Sequence, residues 1–177
     1  MSKYLFVIDY QKDFVEGALG FPGADKLDAG IASKVREYGQ GHVICTRDTH
    51  FANYLETREG KSLPVVHCAK GTPGWALYGE TAKICEEIGA PCIDKLSFGI
   101  DCGDPAVLAV LPEQAEEIEL VGLVSNICVI SNAVVLQSRF PQATITVDAS
   151  LTASFDREMN EKALDVMESF QVQVKNR

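Results

Sequence analysis

The stretch Tyr4-Leu-Phe-Val-Ile-Asp9 constrains the fold more strongly than any other part of the chain. Its apolar residues run continuously instead of alternating with polar ones, which is the pattern of a central strand buried on both faces of a sheet. A carboxylate closes the run. Such a strand requires a layer of helices on each side of the sheet.

Strand and helix signals alternate through the rest of the chain. Further strands are predicted at 42–46, 91–94, 118–124, 143–148 and 171–174, and helices at 25–38, 76–88, 104–111, 129–139 and 155–170. This alternation implies right-handed crossovers between parallel strands. We therefore predict an α/β fold with a doubly wound, largely parallel, six-stranded sheet and helices on both faces, Rossmann-like in layout. With 177 residues, 46% of them apolar, the chain fits a single domain over 1–177.

Composition narrows the expected partners. The formal net charge is −9, and Lys and Arg are scattered, so a nucleic-acid-binding surface is not expected. No segment is long and apolar enough to span a membrane, and Met1-Ser-Lys leads into a strand without signal-peptide features. The six cysteines include no Cys-x-x-Cys pair and need not form disulfides in a chain of this size. We expect a cytoplasmic protein that binds a small neutral or cationic molecule.

Several chain-distant polar residues fall at or just past the carboxyl ends of predicted strands: Asp9, Asp48, Lys95 and Cys128. Asp148 also closes a predicted strand. The carboxyl ends of parallel strands share one edge of the sheet, where folds of this kind bind their ligands. We expect the first four side chains to converge there and to carry the chemistry.

Cys128 lies between a predicted strand and a predicted helix, within Gly122-Leu-Val-Ser-Asn-Ile-Cys128-Val. A thiol at a helix N-terminus should have a lowered pKa, and nearby backbone N–H groups can hold a developing oxyanion. The alternative is a small buried core residue. Asp9 would be the general base, its pKa raised by poor solvation and balanced by Lys95. A salt bridge that only caps the sheet is the alternative for Asp9 and Lys95.

The long polar stretch from Arg47 to Gly74 contains a possible metal site. Asp48 and His50 are on alternate residues of an extended segment and so point the same way, and His67 follows later. Together with a glutamate, Glu56 or Glu59, these residues would suit Zn²⁺, Fe²⁺ or Mn²⁺ with positions open to water or substrate. The alternative is a solvated polar loop without metal.

Five sequence blocks resemble one known family. They are Val7-Ile-Asp9-Tyr-Gln11-Lys-Asp13-Phe14, Thr46-Arg-Asp48-Thr-His50, Pro64-Val-Val-His67-Cys-Ala-Lys-Gly71-Thr-Pro-Gly74, Asp94-Lys95-Leu-Ser-Phe98-Gly99 and Gly122-Leu-Val124-Ser125-Asn-Ile-Cys128-Val. In this order they resemble the isochorismatase-like cysteine hydrolases, and among these the metal-containing nicotinamidases. The resemblance covers nearly the whole chain.

The resemblance implies roles for individual residues. Asp9, Lys95 and Cys128 would form the catalytic triad, and the backbone N–H groups of Ser125 and Cys128 would form the oxyanion hole. A cis peptide bond would fall at Val124-Ser125. The implied metal ligands are Asp48, His50, Glu59 and His67, with Glu56 as the rival of Glu59.

For the substrate pocket, the resemblance implies that Phe14, Phe98 and Val124 contact the substrate. Leu63 and Pro64, with Trp75 or Phe98, would complete the walls. The aromatic residue that stacks on the pyridine ring in several nicotinamidases, just before the second histidine, is absent from this chain. That departure bears directly on the identity of the substrate.

The implied function is hydrolysis of nicotinamide to nicotinate and ammonia through a thioester, with one divalent metal ion as cofactor. Another small amide or a carbamoyl compound as substrate is the first alternative. A non-catalytic binding protein with the same fold is the second. We expect a small-molecule amide as partner, no nucleic acid and no membrane, and a possible homo-oligomer, which is common among proteins that resemble this one.

Overall fold

The computed structural model describes residues 2–177 and contains a six-stranded, all-parallel sheet in the order β3-β2-β1-β4-β5-β6. The strands are β1 (Lys3–Ile8), β2 (Val43–Asp48), β3 (Cys92–Lys95), β4 (Glu117–Leu123), β5 (Thr144–Ala153) and β6 (Gln173–Lys175). The order reverses beside β1, whose neighbours are β2 and β4. In a sheet of this type the ligand crevice opens at that reversal, outside the carboxyl ends of the strands.

Seven α-helices connect the strands in the described part of the chain. They are α1 (Lys12–Val15), α2 (Asp28–Tyr38), α3 (Arg58–Ser62), α4 (Gly79–Glu87), α5 (Pro105–Leu108), α6 (Ile130–Arg139) and α7 (Arg157–Ser169). A π-helical turn, Ser125–Val129, joins β4 to α6. Within residues 2–177, no helix combines the length and the apolar content that crossing a membrane requires.

Two hydrophobic cores lie on opposite faces of the sheet. Successive residues of β1 alternate between them: Leu5 and Val7 pack with α2 and α4, whereas Phe6 and Ile8 pack with α6 and α7. Both sets of side chains are completely buried. The predicted doubly wound sheet with helices on both faces is confirmed, and the continuous apolar run of β1 is explained by its two buried faces.

Several predicted element boundaries were wrong. The predicted helix at 104–111 is the single turn α5, and the stretch from Arg47 to Gly74 contains α3 and two 3₁₀ turns. β5 continues past Asp148 to Ala153, because a register shift opposite Leu120 and Gly122 lets the strand resume its pairing with β4. Asp148 therefore lies inside a strand, and it does not close one at the rim.

Candidate active site

A buried ion pair lies at the switch in strand order. Asp9 directly follows β1, Lys95 is the last residue of β3, and Asp9 Oδ2 lies 2.7 Å from Lys95 Nζ. Both side chains are fully buried. Thr46 Oγ1 donates to Asp9 Oδ1 at 2.6 Å, and Lys95 Nζ donates to the carbonyl of Ser97 at 3.1 Å. Each member of the pair therefore has a further hydrogen-bond partner that fixes its orientation.

The backbone of Asp9 adopts an unusual conformation. Its φ is 43°, in the left-handed region that residues with a Cβ seldom occupy. The backbone N–H of Asp9 donates to the Thr46 carbonyl and to Thr46 Oγ1, each at 3.2 Å. Strain of this kind persists where surrounding contacts fix the backbone, and it is commonest at functional sites.

Cys128 lies in the π-helical turn after β4. The Val129 N–H reaches back five residues to the Val124 carbonyl at 3.1 Å, and this wide turn carries the thiol at the carboxyl end of the sheet. Its residue exposure is 5%. Turns of this type inside helices are frequent at functional sites.

Burial raises the pKa of the Cys128 thiol well above its usual value, and the charge of Asp9 raises it further, whereas Lys95 acts in the opposite direction. The expectation of a thiol acidified by a helix N-terminus was therefore wrong, because desolvation and the neighbouring carboxylate dominate. In this site the thiolate must be formed by transfer of its proton to a base.

Asp9 has the properties of that base. Burial raises its pKa above the usual value for a carboxyl group, and Lys95 opposes the shift. Conversely, burial would lower the pKa of Lys95, but the charges of Asp9 and Cys128 outweigh it and raise the pKa. Lys95 therefore remains a cation that can balance one negative charge, on either Asp9 or the sulfur.

Asp48, His50, Glu59 and His67 form the second cluster, with ligand atoms all within 4.8 Å of one another. The Nε2 atoms of His50 and His67 lie 2.9 and 3.3 Å from Asp48 Oδ2. Glu59 Oε1 lies 3.7 Å from His50 Nε2 and 4.0 Å from His67 Nε2. Glu56, the rival candidate, is not in this group of the described residues.

The surroundings of the cluster fit a metal. His67 Nδ1 donates to the Val65 carbonyl at 2.8 Å, which leaves the Nε2 lone pair free for coordination. Gln11 holds the backbone of Asp48 with two hydrogen bonds, from the Asp48 N–H at 2.7 Å and to its carbonyl at 3.0 Å. Burial would raise the pKa of Asp48, but its contacts with His50 and His67 and the charge of Lys95 lower the pKa overall. Two imidazoles and two carboxylates suit Zn²⁺, Fe²⁺ or Mn²⁺.

A cavity of about 530 Å³ connects the two clusters. Cys128, Asp48, Glu59 and His67 all line it, whereas Asp9 and Lys95 are buried and are not among its lining residues. The remaining lining residues are mostly apolar: Phe14, Ala18, Leu19, Gly20, Ser62, Leu63, Phe98, Val124, Ile127 and Phe155. A ligand in this cavity can contact the thiol and the candidate metal ligands together.

Comparison with known proteins shows the family to which this fold and sequence belong. The isochorismatase domain family matches residues 3–176. The chain belongs to that family.

A curated family member from Bacillus subtilis strain 168, an uncharacterized isochorismatase family protein named PncA, is 29% identical over 93% of each chain. The crystal structure of nicotinamidase/pyrazinamidase PncA from Bacillus subtilis is 29% identical, with a TM-score of 0.84 and coverage of 98% and 99%. A pyrazinamidase/nicotinamidase from Streptococcus mutans UA159 shares the fold, with 24% identity, a TM-score of 0.84 and coverage of 98% and 99%. The predicted family, fold and hydrolase class are confirmed.

The pocket and the turn differ in part from the sequence-based expectations for this isochorismatase-family chain. Phe14, Leu63, Phe98 and Val124 line the cavity as predicted, but Pro64 is not among the lining residues. Trp75 is also outside the lining. Its indole nitrogen donates to Thr49 Oγ1 at 2.9 Å, and its ring packs under the Arg47 guanidinium at 3.8 Å, so it contacts these two residues and not the cavity.

The cis peptide bond joins Leu123 to Val124, one bond earlier than predicted. Ser125 is the first residue of the π-helical turn, and the Val124 carbonyl accepts the hydrogen bond that closes it. The cis bond therefore lies just before this turn. Ser125, three residues before Cys128, is fully buried, and its Oγ atom has no hydrogen-bond partner among the described residues. The predicted oxyanion role of the Ser125 and Cys128 N–H groups stays a prediction.

Asn132 is a site residue that sequence reasoning missed. It is completely buried in α6, and its Nδ2 atom donates to the carbonyls of Cys128, at 2.8 Å, and of Phe98, at 3.1 Å. Its Oδ1 atom accepts from the Ile100 N–H at 3.0 Å. Asn132 therefore ties the nucleophile turn to the segment that carries Phe98. Its only signal in the sequence is an amide on the apolar side of a predicted helix.

Proposed function

We propose that this protein is a cysteine-dependent amidohydrolase that converts nicotinamide and water into nicotinate and ammonia through a thioester on Cys128. The observation that carries the proposal is the buried Asp9–Lys95 pair, 2.7 Å apart, whose charges act on a thiol that lines the pocket. The nicotinamidase named among the relatives, at 29% identity, supports the choice of substrate.

In the first half of the reaction, Asp9 takes the proton from Cys128 and the thiolate attacks the carboxamide carbon. Lys95 balances the negative charge as it moves from the carboxylate to sulfur. The backbone N–H groups of Ser125 and Cys128 hold the oxyanion. Asp9 then gives its proton to the amide nitrogen, the C–N bond breaks, and ammonia leaves a thioester on sulfur.

In the second half, Asp9 takes a proton from water, whose oxygen attacks the thioester carbonyl. The C–S bond breaks, nicotinate is released, and the proton returns to Cys128. Phe14, Phe98 and Val124 hold the ring in the cavity. Asp48, His50, Glu59 and His67 would hold one divalent metal ion, which when bound supplies a Lewis acid for the pyridine nitrogen or for water.

The alternative, a salt bridge that only caps the sheet, would also contain the Asp9–Lys95 ion pair. The two interpretations differ in the role that they give to the Cys128 thiol. A sheet cap needs no thiol facing a cavity, and it gives no reason for a strained backbone at Asp9. We further propose a single catalytic domain. The cytoplasmic location and the homo-oligomer stay predictions.

The test is the stoichiometry of the reaction with nicotinamide, with and without hydroxylamine. We expect ammonia and nicotinate in equal amounts, and hydroxylamine should divert the acyl group to nicotinohydroxamate without reducing ammonia release. Absence of ammonia would refute the nicotinamidase assignment. Ammonia without any hydroxamate would refute the thioester.

A further inference from the structure

The cavity is larger than nicotinamide requires. At the volume of about 30 Å³ that one water molecule occupies in the liquid, the roughly nine non-hydrogen atoms of nicotinamide would fill about 270 Å³. The cavity measures about 530 Å³. About half of the space therefore remains once a pyridine carboxamide is seated against Cys128.

Two phenylalanines of the lining have unusually exposed side chains. Phe98 is 40% exposed and Phe155 is 65% exposed, although both line the cavity. Phe155 precedes α7, and its ring packs edge-on against Phe21 at 6.4 Å between centroids, which limits its freedom. Covering exposed aromatic surface of this kind with an apolar part of a ligand removes it from water and so strengthens binding.

Val66, the residue before His67, does not form part of the cavity wall. Val66 is 52% exposed and is not among the lining residues, so no side chain at that position covers a ring. Leu19 and Ile127, in contrast, line the cavity and extend its apolar surface. The space beyond the ring is thus bounded by aliphatic and aromatic carbon.

Beyond the candidate metal ligands, the described lining of the cavity offers no cation that could hold an anionic extension of the ligand. Asp48 and Glu59 line it, and within residues 2–177 its lining contains no lysine or arginine. Lys95, a buried cation nearby, is already paired with Asp9. Away from the candidate metal ligands, a carboxylate on the ligand would lose its hydration without gaining a partner.

We propose that the preferred substrates are aryl carboxamides that carry an uncharged apolar substituent on the ring, and that this substituent packs on Phe98 and Phe155. The proposal rests on the proposed function, because it uses the same thiol and the same reaction. The substituent takes no part in bond breaking, so it contributes binding that is equal in the ground state and the transition state. Its effect therefore falls on KM.

Ammonia release from nicotinamide, 5-propylnicotinamide and 6-propylnicotinamide tests the proposal. Each buried methylene is worth about fourfold in affinity, so partial burial of the propyl group should raise kcat/KM by at least about tenfold for one isomer. The gain should lie in KM, with kcat changed less than about threefold. A 5-(2-carboxyethyl) analogue of similar length should show no gain over nicotinamide.

Variants of the two phenylalanines test where the propyl group binds. In Phe155→Ala or Phe98→Ala, the ratio of kcat/KM for the better propyl isomer to that for nicotinamide should fall to about threefold or less. Phe51→Ala removes a ring outside the cavity lining whose exposure lies between those of Phe98 and Phe155, and should leave the ratio unchanged. The ratio is internal to each preparation and so is insensitive to the fraction of folded protein.

The outcomes separate the two proposals. If none of the amides releases ammonia, the proposed function fails. If nicotinamide is cleaved but neither propyl isomer improves on it, only the substrate class proposed in this subsection is overturned. Retention of the full gain in both Phe98→Ala and Phe155→Ala would also overturn it.

Discussion

At the scale of single residues, the electrostatics of the site depend on two charges of opposite sign beside one sulfur. Asp9 raises the pKa of Cys128 and Lys95 lowers it, while burial favours the neutral thiol. The resting site therefore holds its proton on sulfur and its negative charge on Asp9. Catalysis requires that proton to move, and the two functions of Asp9, as base and as a charge that disfavours the thiolate, can be separated.

The variant Asp9→Asn separates them. Removal of the carboxylate leaves Lys95 as the only neighbouring charge of the pair, so the pKa of Cys128 should fall and its alkylation by iodoacetamide at pH 7 should become faster. Amide hydrolysis should nevertheless fall by at least about a hundredfold, because the general base is lost. The alkylation rate is measured by peptide mapping and the hydrolysis rate by ammonia release.

Asp25→Asn is the matched control, because Asp25 is an exposed carboxylate of the same type. It should change neither rate. Slower alkylation of Cys128 in Asp9→Asn, together with lost activity, would contradict the assigned charges.

At the scale of secondary-structure elements, one buried amide joins α6 to two loops. Asn132→Leu keeps the number and branching of the side-chain non-hydrogen atoms but leaves the Ile100 N–H and the carbonyls of Cys128 and Phe98 without their partner. The free energy of unfolding should fall by about 3 kcal/mol, since each buried group left unpaired costs about 1–3 kcal/mol. Urea denaturation measures it.

The control for Asn132→Leu is Ser138→Ala on the same helix, where an exposed hydroxyl donates to the Val134 carbonyl within the helix. It should change the free energy of unfolding by less than about 0.5 kcal/mol. Equal stability of Asn132→Leu and the wild type would show that the three hydrogen bonds do not hold the turn.

Asp148 links β5 to α2 and to the residue that follows β6, and it gives the stability a pH dependence. It is buried in β5, lies 3.2 Å from Lys34 of α2, and accepts from Ser150 Oγ at 2.7 Å and from Asn176 Nδ2 at 2.9 Å. Burial would raise its pKa, but these hydrogen bonds and Lys34 lower it overall. A carboxyl group with a lowered pKa in the folded state stabilises the protein above its unfolded-state pKa, and the contribution is lost as the pH falls through the folded-state pKa.

Asp148→Asn should therefore reduce the free energy of unfolding at pH 7 by about 1–3 kcal/mol. The difference from the wild type should shrink as the pH falls below about 4, where the wild-type carboxyl group also becomes neutral. Urea denaturation at a series of pH values measures it, with the exposed Asp165→Asn as control. A difference that is constant from pH 7 to pH 3 would contradict the assigned shift.

The sequence predicted the elements that have a strong period and missed those that tertiary contacts create. β1 and α7 were placed to within two residues, because burial fixes their apolar pattern. α1 and α3 have only four and five residues, too few to show a period, and contacts within the loops define them. The extension of β5 depends on a shift of register against β4 that no local pattern records.

At the scale of the whole molecule, the fold brings four candidate metal ligands from three segments into one cluster. Purified wild-type protein should hold about one divalent ion per chain, and treatment with a strong chelator should remove it. Glu59→Gln should lower the metal content, measured by elemental analysis, while Glu56→Gln should not. Equal loss in both variants would contradict the assignment of Glu59, and a metal-free wild type purified with added zinc would contradict the site itself.

The approach of the three candidate catalytic side chains to one another was predictable from the sequence, but its effect on their pKa values was not. Asp9, Lys95 and Cys128 were expected at one rim because parallel strands share a carboxyl edge. The direction predicted from sequence for the pKa of Cys128 was wrong. The pKa depends on how completely water is excluded from the thiol and on which charges surround the sulfur. Glu59 and Glu56 could not be separated by spacing, since the short helix α3 decides which carboxylate faces the histidines.

The most direct test of the central claim, that Cys128 is the nucleophile, is ammonia release from nicotinamide by Cys128→Ala. Cys102→Ala, which removes a partly buried thiol outside the cavity, is the control. Loss of a covalent nucleophile should reduce kcat at least about a thousandfold, with the control unchanged. Release of ammonia by Cys128→Ala at the wild-type rate would contradict the account.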